Sequence, residues 1–189
     1  ENVLLELKSK IKNALHVLEL SSFQLEHIQS FTPQIAGFLN ISHDHMDRYK
    51  NINEYSNKKL NLIQNMVDSH GIIYNGDDPR LKSIMNQYKN ACFFSTQNQN
   101  KSYFKLNSSK VYSGASDNPN VLFKLDETKL KGHHNLQNIL AAATMAHEFG
   151  ISKQAIRDAI INFTPIAHRL EWIGNLNGVD YFNDSKATN

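Results

Sequence analysis

Glu19, His43, Asp44, His45 and Asp47 are the first residues whose kinds and positions suggest chemistry. Glu19 ends the apolar run HVLEL at 16–20, and the histidines and aspartates follow a second run, QIAGFLNIS at 34–42. Open α/β sheets bind ligands beyond the carboxyl ends of their parallel strands. A Glu at one such end and His/Asp at the next therefore read as a corner for a metal ion and phosphate. Each residue also has an ordinary reading. Glu19 is equally a solvated charge at a sheet rim. The His-x-His pair lacks a third zinc ligand at customary spacing, so each His alone reads as a hydrogen-bonded loop residue. One Glu and one His make an incomplete magnesium site, since that ion prefers oxygen donors and completes its shell with water and phosphate.

Lys59 is a candidate for a further ligand. At about 100° per residue, Ile52, Tyr55, Leu62, Ile63 and Met66 of an expected helix over 52–67 share one face, with Leu60 and Val67 at its edge. Lys59 falls near the middle of that face, whereas Lys58 points roughly 100° away. Periodicity alone favours a lysine that snorkels out of an apolar stripe. The sharper alternative is a desolvated amine of lowered pKa, able to add carbon dioxide and become an anionic carbamate. Further along, KGHHNLQNILAAATMA sets Asn135 and Asn138 three residues apart on one side of a helix start. Such a start either is capped by Asn135 after a turn at Gly132 or recognises phosphate or purine. Arg169, Asp184 and Lys186, all beyond Pro165, read by default as salt-bridged loop residues.

The elements that must carry these residues alternate. A helix over 2–15, a strand over 16–20, a short helix near 22–29 with Ser21-Ser22 at its cap, and a strand over 34–40 make a βαβ-like opening. The helix at 52–67, a strand at 71–75, a helix near 79–87 and a strand at 91–95 continue it. The fold class predicted is α/β, a mainly parallel, doubly wound sheet. Between 96 and 131, SYFKL, KVYSG and NVLFKL alternate between turn-forming residues and predict a small antiparallel β meander. Helices at 135–149 and 152–162 follow, and HRLEWIGNLNGVDYFNDSKATN reads as a hairpin with an Asn-Gly turn.

Bulk properties narrow the classes. The chain has 189 residues with 20 basic and 18 acidic side chains, net +2, too balanced for a polyanion binder working by charge alone. Nucleic acid is not an expected partner. No apolar stretch approaches the ~20 residues a membrane span needs, and Glu6, Lys8, Lys10 and Lys12 interrupt any signal-peptide core. Neither a membrane partner nor a secreted form is expected, and the location predicted is cytoplasmic. The single cysteine, Cys92, excludes an internal disulfide and agrees with a reducing compartment. With no initiator methionine and an end at KATN, the chain reads as a piece of something longer.

Taken together, ELSSFQLE, DHMDRY, YxxxK, NGDD, GHHNxxNxLAA, HRLE and NDSKATN occur here in one order. In that order they resemble the Mur ligases, over nearly the whole chain. The wording of the first two is closest to the D-glutamate-adding branch. The resemblance implies an ATP-dependent acid–amino-acid ligase, monomeric when full length. It would join D-glutamate to UDP-N-acetylmuramoyl-L-alanine through an acyl phosphate, in peptidoglycan precursor synthesis and hence cell-wall growth, shape and division. It implies residues 1–165 as a central ATP-binding domain and 166–189 as an interdomain hinge opening a C-terminal domain. It implies Glu19, His45 and carbamylated Lys59 as Mg2+ ligands, and Asn138, Arg169 and Asp184, with Asn135 beside them, as ATP contacts. Lys186 and Thr188 would lie near the acyl and D-glutamate end. Gln24 and Asn2 would lie near the muramoyl substrate, although Leu4 stands where the family has glycine two residues after Asn2. His45 would act as ligand and orienter rather than general base.

The family also needs a G-x-x-G-K-[ST] phosphate loop, and none of the eight glycines here precedes a lysine. The loop is expected upstream of Glu1, and this stretch alone is expected to turn over no substrate. Two other readings compete. One is a sibling amino-acid ligase, either another Mur ligase or a folylpolyglutamate synthetase. The other is a non-catalytic nucleotide-binding module.

Overall fold

A computed structural model of the chain describes residues 15–42, 46–67, 71–97, 99, 102–113 and 120–186. Three strands, β1 (Ile35–Phe38), β2 (Gly71–Asn75) and β3 (Ala91–Phe94), form a parallel sheet in the order β1-β2-β3. Ile35 pairs with Gly71 and Phe38 with Tyr74; Ile72 pairs with Ala91 and Asn75 with Phe94. The central strand β2 is buried along its whole length. That explains its unbroken apolar run, since a parallel strand is covered on both faces.

Alternate residues of β2 go to different cores. Ile73 joins Phe94, Leu136, Ile139, Leu140 and Ala143 on the side of the long helix α4 (His133–Glu148). Ile72 and Tyr74 join Tyr49, Tyr55, Ile63, Leu81 and Met85 on the other. That second face is covered by α2 (Ile52–Leu60) and α3 (Pro79–Met85). Helices on both faces of a parallel sheet are the doubly wound arrangement anticipated from the alternation.

The meander is present. Strands β4 (Phe104–Asn107), β5 (Lys110–Ser113) and β6 (Asn120–Lys124) pair antiparallel, and Ser95 bridges to Lys105 where β3 ends. Phe104, Val111 and Phe123 from these strands enter the core beneath α4. After α4 come α5 (Lys153–Asn162), capped by Ser152, and a hairpin, β7 (Glu171–Leu176) and β8 (Val179–Asn183). Its turn is the anticipated Asn177-Gly178, both at positive φ (52° and 81°), as a two-residue hairpin loop requires.

Three expectations need correction. The run at 16–20 is not a strand: residues 15–20 take no regular structure, and Leu15, Val17 and Leu18 are 58, 83 and 42 % exposed. An apolar run becomes a strand only against a ladder partner, and no described strand pairs with it. The helix expected to run to 67 stops at Leu60, giving way to a 3-10 turn at Asn61–Ile63. Here side-chain amides reach across the chain instead: Asn61 Nδ2 donates to Leu25 O, Gln64 Nε2 to Ile28 O and Asn65 Nδ2 to Gln29 O. Finally, the first short helix, α1 (Ser22–Leu25), is only four residues long. The helix expected over 2–15 lies, but for Leu15, outside the described residues.

Candidate functional site

The ELSSFQLE segment begins in the irregular stretch, so Glu19 is exposed rather than fixed at a strand end. Ser21 then caps α1 in a capping box. Its Oγ accepts from Gln24 N at 3.4 Å, while Gln24 Oε1 accepts from Ser21 N at 2.9 Å. Gln24, expected near a substrate, thus uses its carbonyl oxygen to hold its own turn. Glu26, at the helix end, faces a different segment. Its carboxylate accepts from Arg48 Nε at 3.1 Å, Arg48 Nη2 at 2.7 Å and Tyr49 Oη at 2.7 Å. These charge-assisted bonds pull the Glu26 carboxyl down to a pKa of about 2, Arg48 contributing most and Tyr49 next.

Arg48 and Tyr49 belong to the HMDRY segment. His45, with His43 and Asp44, lies outside the described residues; Asp47 is exposed. The Arg48 guanidinium also stands 4.9 Å from the centre of the Phe23 ring, over its face. Tyr49 stacks on Phe23 at 6.2 Å and meets Tyr55 of α2 at 5.3 Å. One turn further along α2, the Lys59 ammonium sits 5.1 Å from the Tyr55 ring centre. Lys59 is half-buried, on the face that buries Tyr55. Among the described residues no hydrogen bond or ion pair joins Glu19 to Lys59, and no group of three or more His, Cys, Asp or Glu side chains is placed to hold a metal.

At the carboxyl edge of the sheet the NGDD turn is more than punctuation. Asn75 donates from Nδ2 to Leu39 O at 3.0 Å and accepts at Oδ1 from Asp77 N at 3.0 Å. Asp78 caps α3 through Oδ1, at 2.9 Å from Arg80 N, and accepts at Oδ2 from Ile41 N at 2.8 Å. Asp77 accepts from Ser95 Oγ, from Thr96 N and Oγ1, and from Gln99 Nε2. Three polar residues of this turn, Asn75, Asp77 and Asp78, thus tie together the exits of β1, β2 and β3. Above them opens a cleft of about 230 Å³ lined by Asn40, Ile41, Asn75, Asp77, Asp78 and, from α4, Gln137, with Pro79 and Arg80. The one sequence signal for this role was Asp-Pro directly after a buried strand, an N-cap followed by a helix-starting proline. The bonds to the chain just past β1 and β3 carry no local signal.

The start of α4 supplies the other half of the candidate site. Its N-cap is Gly132, at φ 91° and without a side-chain cap. Asn135 is therefore not the cap; its Nδ2 donates to Lys131 O at 2.7 Å. Asn138, a turn further on, is exposed. The HRLE turn packs against this start, for a Cβ built on Gly132 would lie 3.5 Å from Leu170 Cδ1. HRLE is in turn clasped to NDSK: Asp184 Oδ1 accepts from Leu170 N at 3.0 Å, Lys186 N donates to His168 O at 3.0 Å, and Asn183 Nδ2 meets His168 Nδ1 at 2.8 Å. Arg169, Asp184 and Lys186 are exposed on one clasp, with Arg169 in a turn whose flanking residues, His168 and Leu170, both take positive φ. Asn2 and Thr188 lie outside the described residues. The site residues thus fall into two groups. Arg169, Asp184 and Lys186 are gathered near the start of α4, while Lys59 is linked through Tyr55 and Tyr49 to Glu26.

This chain belongs to the Mur ligase family, whose pattern, the Mur ligase middle domain, matches residues 2–146. It is 37% identical over 176 residues to the UDP-N-acetylmuramoylalanine--D-glutamate ligase of Thermoanaerobacter sp. (strain X514), covering 92% of this chain and 38% of that protein. The chain therefore spans about two fifths of that relative's length. In fold it is similar to MurF from Acinetobacter baumannii (TM-score 0.63, 17% identity, 86% of this chain and 35% of that one). It is similar too to MurF ligase from Thermotoga maritima in complex with ADP (TM-score 0.57, 19% identity, 81% and 35%).

Proposed function

We propose that the full-length protein is an ATP-dependent ligase that joins D-glutamate to UDP-N-acetylmuramoyl-L-alanine in peptidoglycan precursor synthesis, working as a cytoplasmic monomer. The observation that carries this reading is the 37% identity to a D-glutamate ligase over 92% of the chain. The ADP-bound relative of the same fold supports nucleotide binding. Residues 1–165 would form the ATP-binding body, with 166–189 leading into a further domain.

The donor set suits magnesium. Glu19 is an exposed carboxylate open to substrate phosphates, and Lys59 is a half-buried amine resting on an aromatic ring. Addition of carbon dioxide to the neutral Lys59 amine, with loss of one proton, would leave an anionic carbamate and a second oxygen donor. His45 would complete the protein's share as ligand and orienter. When bound, Mg2+ supplies charge neutralisation where phosphoryl oxygens meet a carboxylate.

The remaining residues orient and shield. Asn135, Asn138, Arg169 and Asp184 hold the nucleotide between the start of α4 and the clasp. Asn2 and Gln24 would serve the muramoyl substrate. Lys186 and Thr188 would serve the acyl phosphate and incoming D-glutamate, with the Lys186 cation offsetting the anions that must meet. The γ-phosphoryl passes to the alanyl carboxylate, the D-glutamate amine attacks the acyl carbon, and phosphate leaves as the amide forms.

The test is phosphate release by the full-length protein with ATP and a panel of UDP-muramoyl acceptors and amino acids. Release only with UDP-N-acetylmuramoyl-L-alanine and D-glutamate together is the expected result. Preference for another acceptor or amino acid would reassign the protein to a sibling ligase. No release with any pair would refute ligase activity.

A further inference from the structure

Glu26, Arg48 and Tyr49 take no part in the chemistry proposed above, yet the Glu26 carboxylate accepts three hydrogen bonds from the other two. Glu26 sits seven residues after Glu19, at the end of the segment that carries it. Arg48 and Tyr49 sit three and four residues after His45. Tyr49 packs on Tyr55, and Tyr55 carries the Lys59 ammonium on its ring. One continuous path, Glu26 to Tyr49 to Tyr55 to Lys59, therefore connects the three segments that hold the proposed magnesium ligands. Residues 15–20 have no ladder partner, so the first segment is held to the other two by this clasp together with Asn61 Nδ2, which donates to Leu25 O at 3.1 Å.

The geometry suits a spacer. Arg48 grips Glu26 at two points, which fixes an angle as well as a distance. Its guanidinium is also sandwiched toward Phe23, on the short helix between Glu19 and Glu26. A shift of either segment would break two hydrogen bonds and a ring contact together.

Resting on the ligase reading, we infer that Glu26 is a positioning residue which, through Arg48 and Tyr49, sets the distance between the Glu19 segment and the helix that carries Lys59 and so tunes divalent-cation affinity. It touches neither substrate nor metal. The class of ligand it serves is a divalent cation bound together with nucleotide phosphates.

The experiment uses the full-length protein and Mn2+ as probe. Free Mn2+ is measured by electron paramagnetic resonance in the presence of a non-hydrolysable ATP analogue. Glu26→Gln and Arg48→Gln are compared with Arg157→Gln, which breaks the Glu127–Arg157 ion pair elsewhere in the domain. Thermal midpoints are recorded for all of them. The expected result is roughly tenfold weaker Mn2+ binding in the two clasp variants, the scale seen when outer partners of a metal site are removed, with Arg157→Gln unchanged. Wild-type Mn2+ affinity in both clasp variants would overturn the inference. So would an equal loss in Arg157→Gln, because the effect would then follow stability alone. Wild-type protein that binds no Mn2+ with nucleotide would sink the ligase reading itself, and it would be recognised before any variant is made.

Discussion

Asp77 holds Thr96 twice: its Oδ2 accepts from the Thr96 backbone N–H and from the Thr96 hydroxyl, each at 2.6 Å. With Ser95 Oγ and Gln99 Nε2 on the other oxygen, one carboxylate locks the turn after β2 to the exit of β3. Replacing it with a methyl group strands several buried donors at once. Asp77→Ala is expected to cost about 2–4 kcal/mol. The loss would be read as a lower urea midpoint and faster amide exchange in the 91–97 segment. Thr96→Val, which removes one bond and keeps the backbone pair, should cost about 1 kcal/mol. An unchanged midpoint for Asp77→Ala would contradict the lock.

The Glu26 clasp should show in acid. Its hydrogen bonds to Arg48, and then Tyr49, lower the carboxyl pKa from 4.5 to about 2. A group depressed on folding stabilises the fold above its unfolded pKa and loses that contribution as pH falls through its folded one. The thermal midpoints of wild type and Glu26→Gln should therefore differ by a steady amount above pH 4.5 and converge as pH falls toward 2. A gap that stays constant or widens through that window would contradict the pairing.

Two glycines separate hard from soft packing. A Cβ on Gly76 would fall 2.3 Å from Phe93 Cδ2, within a ring that is itself packed on Tyr74 at 5.6 Å. A Cβ on Gly37 would meet only the Met145 thioether, at 2.7 Å, and methionine yields easily. Gly76→Ala should cost about 1–3 kcal/mol, and Gly37→Ala distinctly less. Equal unfolding midpoints for the two variants would contradict this reading of the sheet edge.

Asn138 and Asp184 should part company in the same way. Asn138 is exposed on α4, so Asn138→Ala is expected to leave stability within about 0.5 kcal/mol. Nucleotide affinity should fall roughly tenfold, equivalent to about 1.4 kcal/mol. Asp184→Ala removes the acceptor for Leu170 N and should weaken both the clasp and nucleotide binding. Calorimetric titration with ADP alongside thermal scans separates them. Full ADP affinity in Asn138→Ala would remove that residue from the site.

Much of this was legible from local pattern. The buried run GIIYN, the alternating meander strands and the Asn-Gly hairpin each carry their own periodicity, and each is where that periodicity put it. Residues 16–20 were misread because an apolar run names no partner, and a strand exists only with one. The early end of α2 was hidden because Asn61, Gln64 and Asn65 act on carbonyls more than thirty residues away. For the same reason Asn75, Asp77 and Asp78 look like plain turn formers until their partners just past β1 and β3 are known. The contact of Lys59 with Tyr55 is implicit in their four-residue spacing on one helix face.

The most direct test of the central claim follows oxygen. UDP-N-acetylmuramoyl-L-alanine carrying 18O in its terminal carboxylate is incubated with the full-length protein, ATP and D-glutamate, and the released phosphate is weighed by mass spectrometry. Transfer of one 18O from carboxylate to phosphate in each turnover is the result expected of an acyl-phosphate ligase. Amide formation with unlabelled phosphate, or ATP consumption with no amide, would contradict it.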